Sequence, residues 1–443
     1  MGFVEFLIFP VYVALFYFLF SARRKNYTDP ILRYYHKQGF WIKVLAVLPF
    51  TLFNTVISRG DSFVLYYTEG ANICHMIMQD AEYLKWLYLP GADFDQTLLK
   101  NPLNLGYLRA ENNYMIVRIT AMLSFLTFQK YLLLNLCFSL ISFSGVWRLY
   151  RFFYEQYPHL HKQLAIAILY LPTFVFWSSG ILKDPICTGA IGWITYGLYE
   201  IFYKKRNLVF NTIMILLFGY LMYVIKVYIL ISYIPFFMLY LVLKNVNLVK
   251  NRFLRIAFVL GLIVFTIVMF TAVMEQLAGT LGRYGGNDIA KNITTYQKAY
   301  AEQGEAGSNF SLGVEYDGSV TSLLRIAPAA IIATLFRPFL WESKKISTLL
   351  SSIESLVFML FTLFVFYKAG PVKFMRSVIK DPVVLYCLLF ALLFALFVGA
   401  TTANFGTLVR YKIPCMPFYI IALFIIQDRT KKILNSPALS QAV

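Results

Sequence analysis

Charge is what this chain has least of. Only 14% of its 443 residues are Asp, Glu, Lys or Arg, where a soluble domain carries about 25%. A solvated globular surface is therefore excluded. Histidine and cysteine are scarce too. The four histidines, at 36, 75, 159 and 161, have no metal-ligand spacing, and the five cysteines contain no CxxC pair. Neither a metal framework nor a disulfide framework is expected. Cys137, Cys187 and Cys387 lie in apolar runs, where a thiol packs as a small hydrophobe. P-loop, GxGxxG, HExxH and GxSxG patterns are absent, so the common nucleotide, zinc-protease and serine-hydrolase sites are not expected. The chain also lacks internal repeats and low-complexity tracts, which counts against a repeat-built transporter.

What the chain does have is apolar length. Hydrophobic residues make up 59% of it, and nearly uncharged runs of about 20 residues recur throughout. These predict an all-α, polytopic helical membrane protein, since a β-barrel would alternate in shorter segments. The runs fall at 2–20, 41–57, 131–150, 163–180, 185–203, 208–225, 227–243, 254–274, 347–367, 382–400 and 411–427, giving eleven expected spans. The segments 21–40, 151–162, 204–207, 244–253, 368–381 and 428–443 then share one side. With the charges at span ends, that side holds twenty-three Lys/Arg and five Asp/Glu, which is the whole net charge of +18. The positive-inside rule makes it cytoplasmic, with the N-terminus outside and the C-terminus inside. The same partition explains the basic balance without nucleic acid. The first run precedes "SARRKN" and has no basic residue before it, so it is expected to stay as a helix and not to be cleaved.

The other side carries two long segments, 58–130 and 275–346, within one integral-membrane domain, 1–443. Long loops in a compact protein are usually functional. In the first, "EGANICHMIMQDAEYLKWLY" has helical apolar spacing and predicts a helix along the membrane surface. "RITAMLSFLTF" is too short to span and is also read as interfacial. In the second, "GRYGGND" is a Gly-rich turn, and "LLRIAPAAIIATLFRPFLWE" is interrupted by Pro328 and Pro338. A re-entrant or interfacial helix is expected there.

The turn "SSGILKDP" (178–185) puts Lys183 and Asp184 at this outer end of a helix hairpin, and Arg337, Glu342, Arg410 and Lys412 reach the same level. Charges at membrane depth are functional candidates. Each can alternatively snorkel or set topology. Pro185 in a first helical turn would make Asp184 the N-cap. Arg and Lys suit a phosphate or pyrophosphate leaving group. A carboxylate can serve as general base for an acceptor hydroxyl. Asp61, at the start of the first loop, is placed for that role, and Asp80 in "MIMQDAEY" is its rival.

An outward Asp after an early span, followed by a long aromatic loop, resembles the GT-C lipid-linked-sugar glycosyltransferases, such as protein O-mannosyltransferases and the lipid A aminoarabinose transferase. "VRYKIPCMPFYIIALF" is similar to the Arg-Tyr-x-x-Pro-x-x-Pro-Phe signature near the last spans of bacterial members, and "NNYMIVRITAMLSFLTFQK" to the segment after their first loop. The resemblance implies a polyprenyl-phosphate sugar donor, an outer-face site on the cytoplasmic membrane, Asp61 as base and Arg410 as signature arginine. It leaves the acceptor open between glycan, lipid and protein, in cell-envelope polysaccharide synthesis, and a divalent metal open as cofactor. The chain departs from the family in lacking a paired acid beside Asp61 and in carrying an extra leading span. The rival readings are an O-antigen-type polymerase, which would rely on arginines, and a lipid-linked glycan flippase, which needs polar residues inside the spans.

Overall fold

The computed structural model describes residues 2–244, isolated positions between 253 and 268, residues 310 and 312, and 320–343, 346–402 and 404–434. Among these residues there are helices and no strand. Among the described residues six helices are long and apolar enough to cross a membrane, and one bent pair can make a seventh. The all-α class follows the apolar runs. The eleven-span reading divides the chain more finely, and its 254–274 run, like most of the 275–346 loop, lies outside the described residues. The chain forms two compact units, Met1–Val227 and Tyr228–Val443.

The first unit opens with α1 (Phe3–Lys25) and α2 (Pro30–Leu52). The expected connection 21–40 is thus mostly helix, with a turn of only 26–29 between the two. Arg23, Arg24 and Lys25 end α1, where cations favour the helix dipole. Asp29 accepts from Ile31 N at 2.8 Å and Pro30 takes the first helical position, so α2 starts early. The loop that follows folds into α3 (Thr68–Gln79), a short α4 (Leu105–Leu108) and α5 (Glu111–Leu126). Of the two expected helical stretches, 69–88 is an α-helix only as far as Gln79, breaks at the extended Asp80 and resumes as a 3-10 helix, Ala81–Leu87, while 118–128 lies mostly in α5. Next come α6 (Tyr131–Tyr154), α7 (His161–Ile168), α8 (Pro172–Trp177) and α9 (Lys183–Tyr199).

Here the structure corrects the reading of 163–180 as one span. Pro172 has no N–H to give a preceding turn and disfavours a helical Leu171. The chain leaves the helix after Ile168 and re-enters at Pro172. The helices α6 and α9 meet backbone to backbone. A Cβ added at Gly145 would lie 1.8 Å from Gly189 O, and one at Gly192 would lie 1.9 Å from Gly145 O. Small residues allow this approach in apolar surroundings.

The next helix, α10 (Leu208–Lys244), is interrupted at Lys226, whose backbone is non-helical (φ −151°, ψ 71°). Unbroken, its length would be ~55 Å, against a hydrocarbon core of about 30 Å. The interruption falls between the two runs expected at 208–225 and 227–243.

In the second unit, α11 (Val320–Phe336) accommodates Pro328 and ends before Pro338. Its apolar part is shorter than a span. The helix α12 (Ile346–Lys380) breaks at Gly370, whose φ of 66° favours glycine, with Pro371 next. It is followed by α13 (Pro382–Thr401), α14 (Phe405–Tyr411) and α15 (Met416–Leu434). The expected 411–427 run is a pair bent by 62° between α14 and α15. Backbones touch again where Gly399 of α13 packs on Ala330 of α11.

Candidate functional site

The start of the first loop is irregular in an informative way. The helix α2 passes into a π-helical turn, Phe53–Ile57, and a second π-helical turn, Ser62–Tyr67, begins after four intervening residues. Between them Arg59 has φ 36°, a left-handed conformation that strains a side chain-bearing residue. Asp61 follows directly and is exposed. π-turns and strained backbone concentrate at functional sites. Behind Asp61 the loop is a folded body. Glu69 has no exposure and accepts from Lys100 N (3.1 Å), Asn101 N (3.0 Å) and Asn104 Nδ2 (2.7 Å). Arg118 binds Glu111 and the Leu89 carbonyl, and Tyr114 donates to Trp86 O at 2.7 Å. Asp80 is exposed and caps the short helix after it, accepting from Glu82 N at 2.9 Å. That is a structural use of its carboxylate.

The "SSGILKDP" turn is buried inside the first unit, apart from a half-buried Lys183. Residues 178–182 connect α8 to α9 without helix, so their backbone groups need partners. Lys43 of α2 supplies them at one end. Its Nζ donates to Ser178 O (2.7 Å), Ser178 Oγ (2.5 Å) and Ser142 Oγ (3.3 Å). Asn135 Oδ1 accepts from Ile181 N at 2.9 Å. At the other end Asp184 pairs with Lys226 Nζ at 2.6 Å, the two side chains being 1% and 5% exposed. This corrects the expectation that Asp184 caps α9. Leu182 holds the cap position, and Lys183 and Asp184 are already helical. Asp184 pairs instead with a lysine from α10.

In the second unit Arg337 grips Glu342, donating from Nε at 3.0 and 3.1 Å and also from Nη2. Its guanidinium lies 4.5 Å from the Phe310 ring centre and 5.1 Å from that of Phe405. Glu342 also accepts from Phe339 N at 2.8 Å. Lys412, in the bend between α14 and α15, is fully buried. It donates to Arg337 O at 3.1 Å and to Ser355 Oγ at 2.8 Å. Arg410, two residues earlier, is half-buried on α14.

Of the residues singled out from sequence, Arg337, Glu342 and Lys412 thus come together in one unit. Asp61, Asp80, Lys183 and Asp184 belong to the other. The reading missed Lys43, Lys226, Glu69 and Ser355. Lys43 looked like a topology charge near a helix end, and the signal that could have found it is its place inside the long apolar helix Pro30–Ile57. Lys43 is thus a buried charge inside an expected span, 41–57. Among the described residues no three His, Cys, Asp or Glu side chains gather to hold a metal ion. Compared with protein-family models, with curated proteins and with solved structures, the chain matches none.

Proposed function

We propose that the protein is an integral-membrane glycosyltransferase of the cell envelope, with its site on the outer face, using a polyprenyl-phosphate-linked sugar donor. The observation that carries this reading is Asp61, an exposed carboxylate set between two π-turns beside the strained Arg59, at the head of a folded loop. Asp61 takes the proton of an acceptor hydroxyl as that oxygen attacks the anomeric carbon. The bond from that carbon to the donor phosphate breaks, and the polyprenyl phosphate leaves. Lys183, half-buried at the first turn of α9, is this unit's candidate to stabilise the leaving phosphate. Arg410 belongs to the second unit, half-buried on α14. Arg337 and Lys412 are better read as scaffold, because the first is held by Glu342 and the second is buried on a carbonyl and a hydroxyl.

The test uses membranes containing the protein and a panel of radiolabelled polyprenyl-phosphate sugars. Asp61→Asn keeps the volume and removes the base, so transfer should fall by roughly 10²–10⁴-fold. Turnover within a few-fold of the parent would sink the assignment. A second reading, a carrier of lipid-linked glycans, is favoured by one observation: the helix break at 178–182 is lined by the buried Lys43 and the Lys226–Asp184 pair. Broken helices with charged groups are a common transporter device.

A further inference from the structure

The α6–α9 pair carries a second concentration of charge, which the transferase chemistry does not use. Arg148 of α6 is 5% exposed. Its guanidinium carbon lies 3.6 Å from the centre of the Trp193 ring, 5.6 Å from Tyr196 and 5.8 Å from Phe210. Its Nη1 is buried without a hydrogen-bond partner. One turn on, Arg151 donates from Nη2 to Tyr196 Oη and keeps a 3.5 Å contact with Glu155, yet its Nε is also buried without a partner. Lys204 occupies Glu155. Glu200 is held by Asn211 Nδ2 at 2.8 Å. The charges of Arg23 and Arg151 act repulsively on Arg148, while Glu200 and the Tyr196 hydroxyl act attractively. The balance here is cationic.

A guanidinium is a fork of five N–H donors with no acceptor, and it stays charged. The Trp193 face offsets part of its burial through cation–π attraction. That contact leaves the Nη1 N–H groups of Arg148 without an acceptor, which is the costly part. An oxyanion with several acceptor oxygens removes the cost, and phosphate fits the fork bidentately. We propose that Arg148 and Arg151, with Lys204 and Arg23 beside them, bind the phosphate of an anionic phospholipid. A lipid suits the surroundings better than a free ion. Phe210, whose ring centre is 5.8 Å from the Arg148 guanidinium, is an exposed apolar side chain placed for an acyl chain, and Val209 and Phe202 are exposed apolar side chains close to it in the chain. The charge partition puts this end at the inner leaflet, where basic pockets between helices take anionic headgroups.

The experiment is native mass spectrometry of the intact, detergent-purified protein with added phosphatidylglycerol or phosphatidylcholine. In parallel, inorganic phosphate is titrated against the unfolding midpoint. Phosphatidylglycerol should be retained in preference. Arg148→Gln and Arg151→Gln should each weaken its retention about tenfold or more, the worth of a charge-assisted hydrogen bond. Arg148→Lys should keep the charge, lose the fork and recover only part. A midpoint raised by inorganic phosphate, and no longer raised in Arg148→Gln, would support the phosphate site with a soluble anion as its source. No lipid preference together with no phosphate response in the parent overturns the proposal. So does parental retention of phosphatidylglycerol by folded Arg148→Gln and Arg151→Gln. If Arg148→Gln does not fold, Arg151→Gln and Arg148→Lys decide.

Discussion

Changing Asp184 to Asn alters one atom and should be among the most damaging conservative substitutions in the protein. The carboxylate is 2.6 Å from Lys226 Nζ, both side chains are at least 95% buried, and Lys226 stands at the one non-helical residue of α10. Removing one partner of a buried ion pair leaves an uncompensated charge and costs about 3–5 kcal/mol. Asn can still accept a hydrogen bond from the ammonium, so the lower end of that range is expected. Lys226→Met is milder, because the orphaned Asp184 can neutralise itself by taking a proton. The double change Asp184→Leu with Lys226→Met should come back to near the parent, since apolar replacement of a whole buried pair is often neutral or stabilising. The measurement is a double-mutant cycle of Asp184→Leu and Lys226→Met, each alone and together, on the detergent-solubilised protein, following tryptophan fluorescence through a denaturant titration. A coupling of about 2 kcal/mol or more is expected. If Asp184→Asn stays within about 0.5 kcal/mol of the parent, as a surface substitution would, the pair is not the lock described here.

Three further outcomes are expected. The five native cysteines are all buried, so an impermeant thiol reagent should leave the parent unlabelled; Asp95→Cys should react from outside the cell and Arg206→Cys should not, and the opposite pattern would end the outer-face reading. Glu69→Gln removes the charge on which Lys100 N, Asn101 N and Asn104 converge and should cost about 1–3 kcal/mol, read as faster proteolysis of the 81–110 segment in otherwise intact protein. Gly145→Ala drives a methyl into the Gly189 carbonyl and should separate α6 from α9 at a cost of about 1–3 kcal/mol or more, measured as a lower unfolding midpoint and lower folded yield.

Some of this was legible in the chain and some was not, for physical reasons. Apolar length fixes helices because an unpaired backbone has no partner in lipid. That argument identified the class, the amphipathic α3 and the interruption at Lys226. It cannot say which side chain a buried polar group will meet, because that depends on contacts far apart in sequence. The three Asp-Pro dipeptides, at 29–30, 184–185 and 381–382, make the point. Asp29 and Asp381 cap the helices that begin at the next residue, accepting from Ile31 N and Val383 N. Asp184 has the same local sequence but does not cap, because α9 begins two residues before Pro185 and a lysine 42 positions along the chain competes for its carboxylate. Local propensity was right twice, and a long-range ion pair outweighed it at the site that mattered most. Lys43 was hidden for the same reason, its partners being 99 and 135 residues away.

Those long-range bonds also separate the two functional readings. A carrier whose path runs through the break at 178–182 has to open that break during its cycle. The Lys43–Ser178 and Lys226–Asp184 bonds would then form and break each time, and their charges would do the work. A transferase with Asp61 as base needs the opposite, a rigid break that holds α8 and α9 while chemistry proceeds at an exposed loop. In that case the ion pair is a staple, and an apolar staple of similar volume should serve equally well. The double variant Asp184→Leu, Lys226→Met therefore has a second use. If it folds with parental stability and still transfers sugar at close to the parental rate, the charges of that pair are structural and the transferase reading stands. If it folds equally well but transfer is lost, the pair is more than a staple and its charges are part of the working cycle; a parent that transfers no sugar yet moves a lipid-linked glycan, with that movement lost in the variant, is the outcome the carrier reading requires.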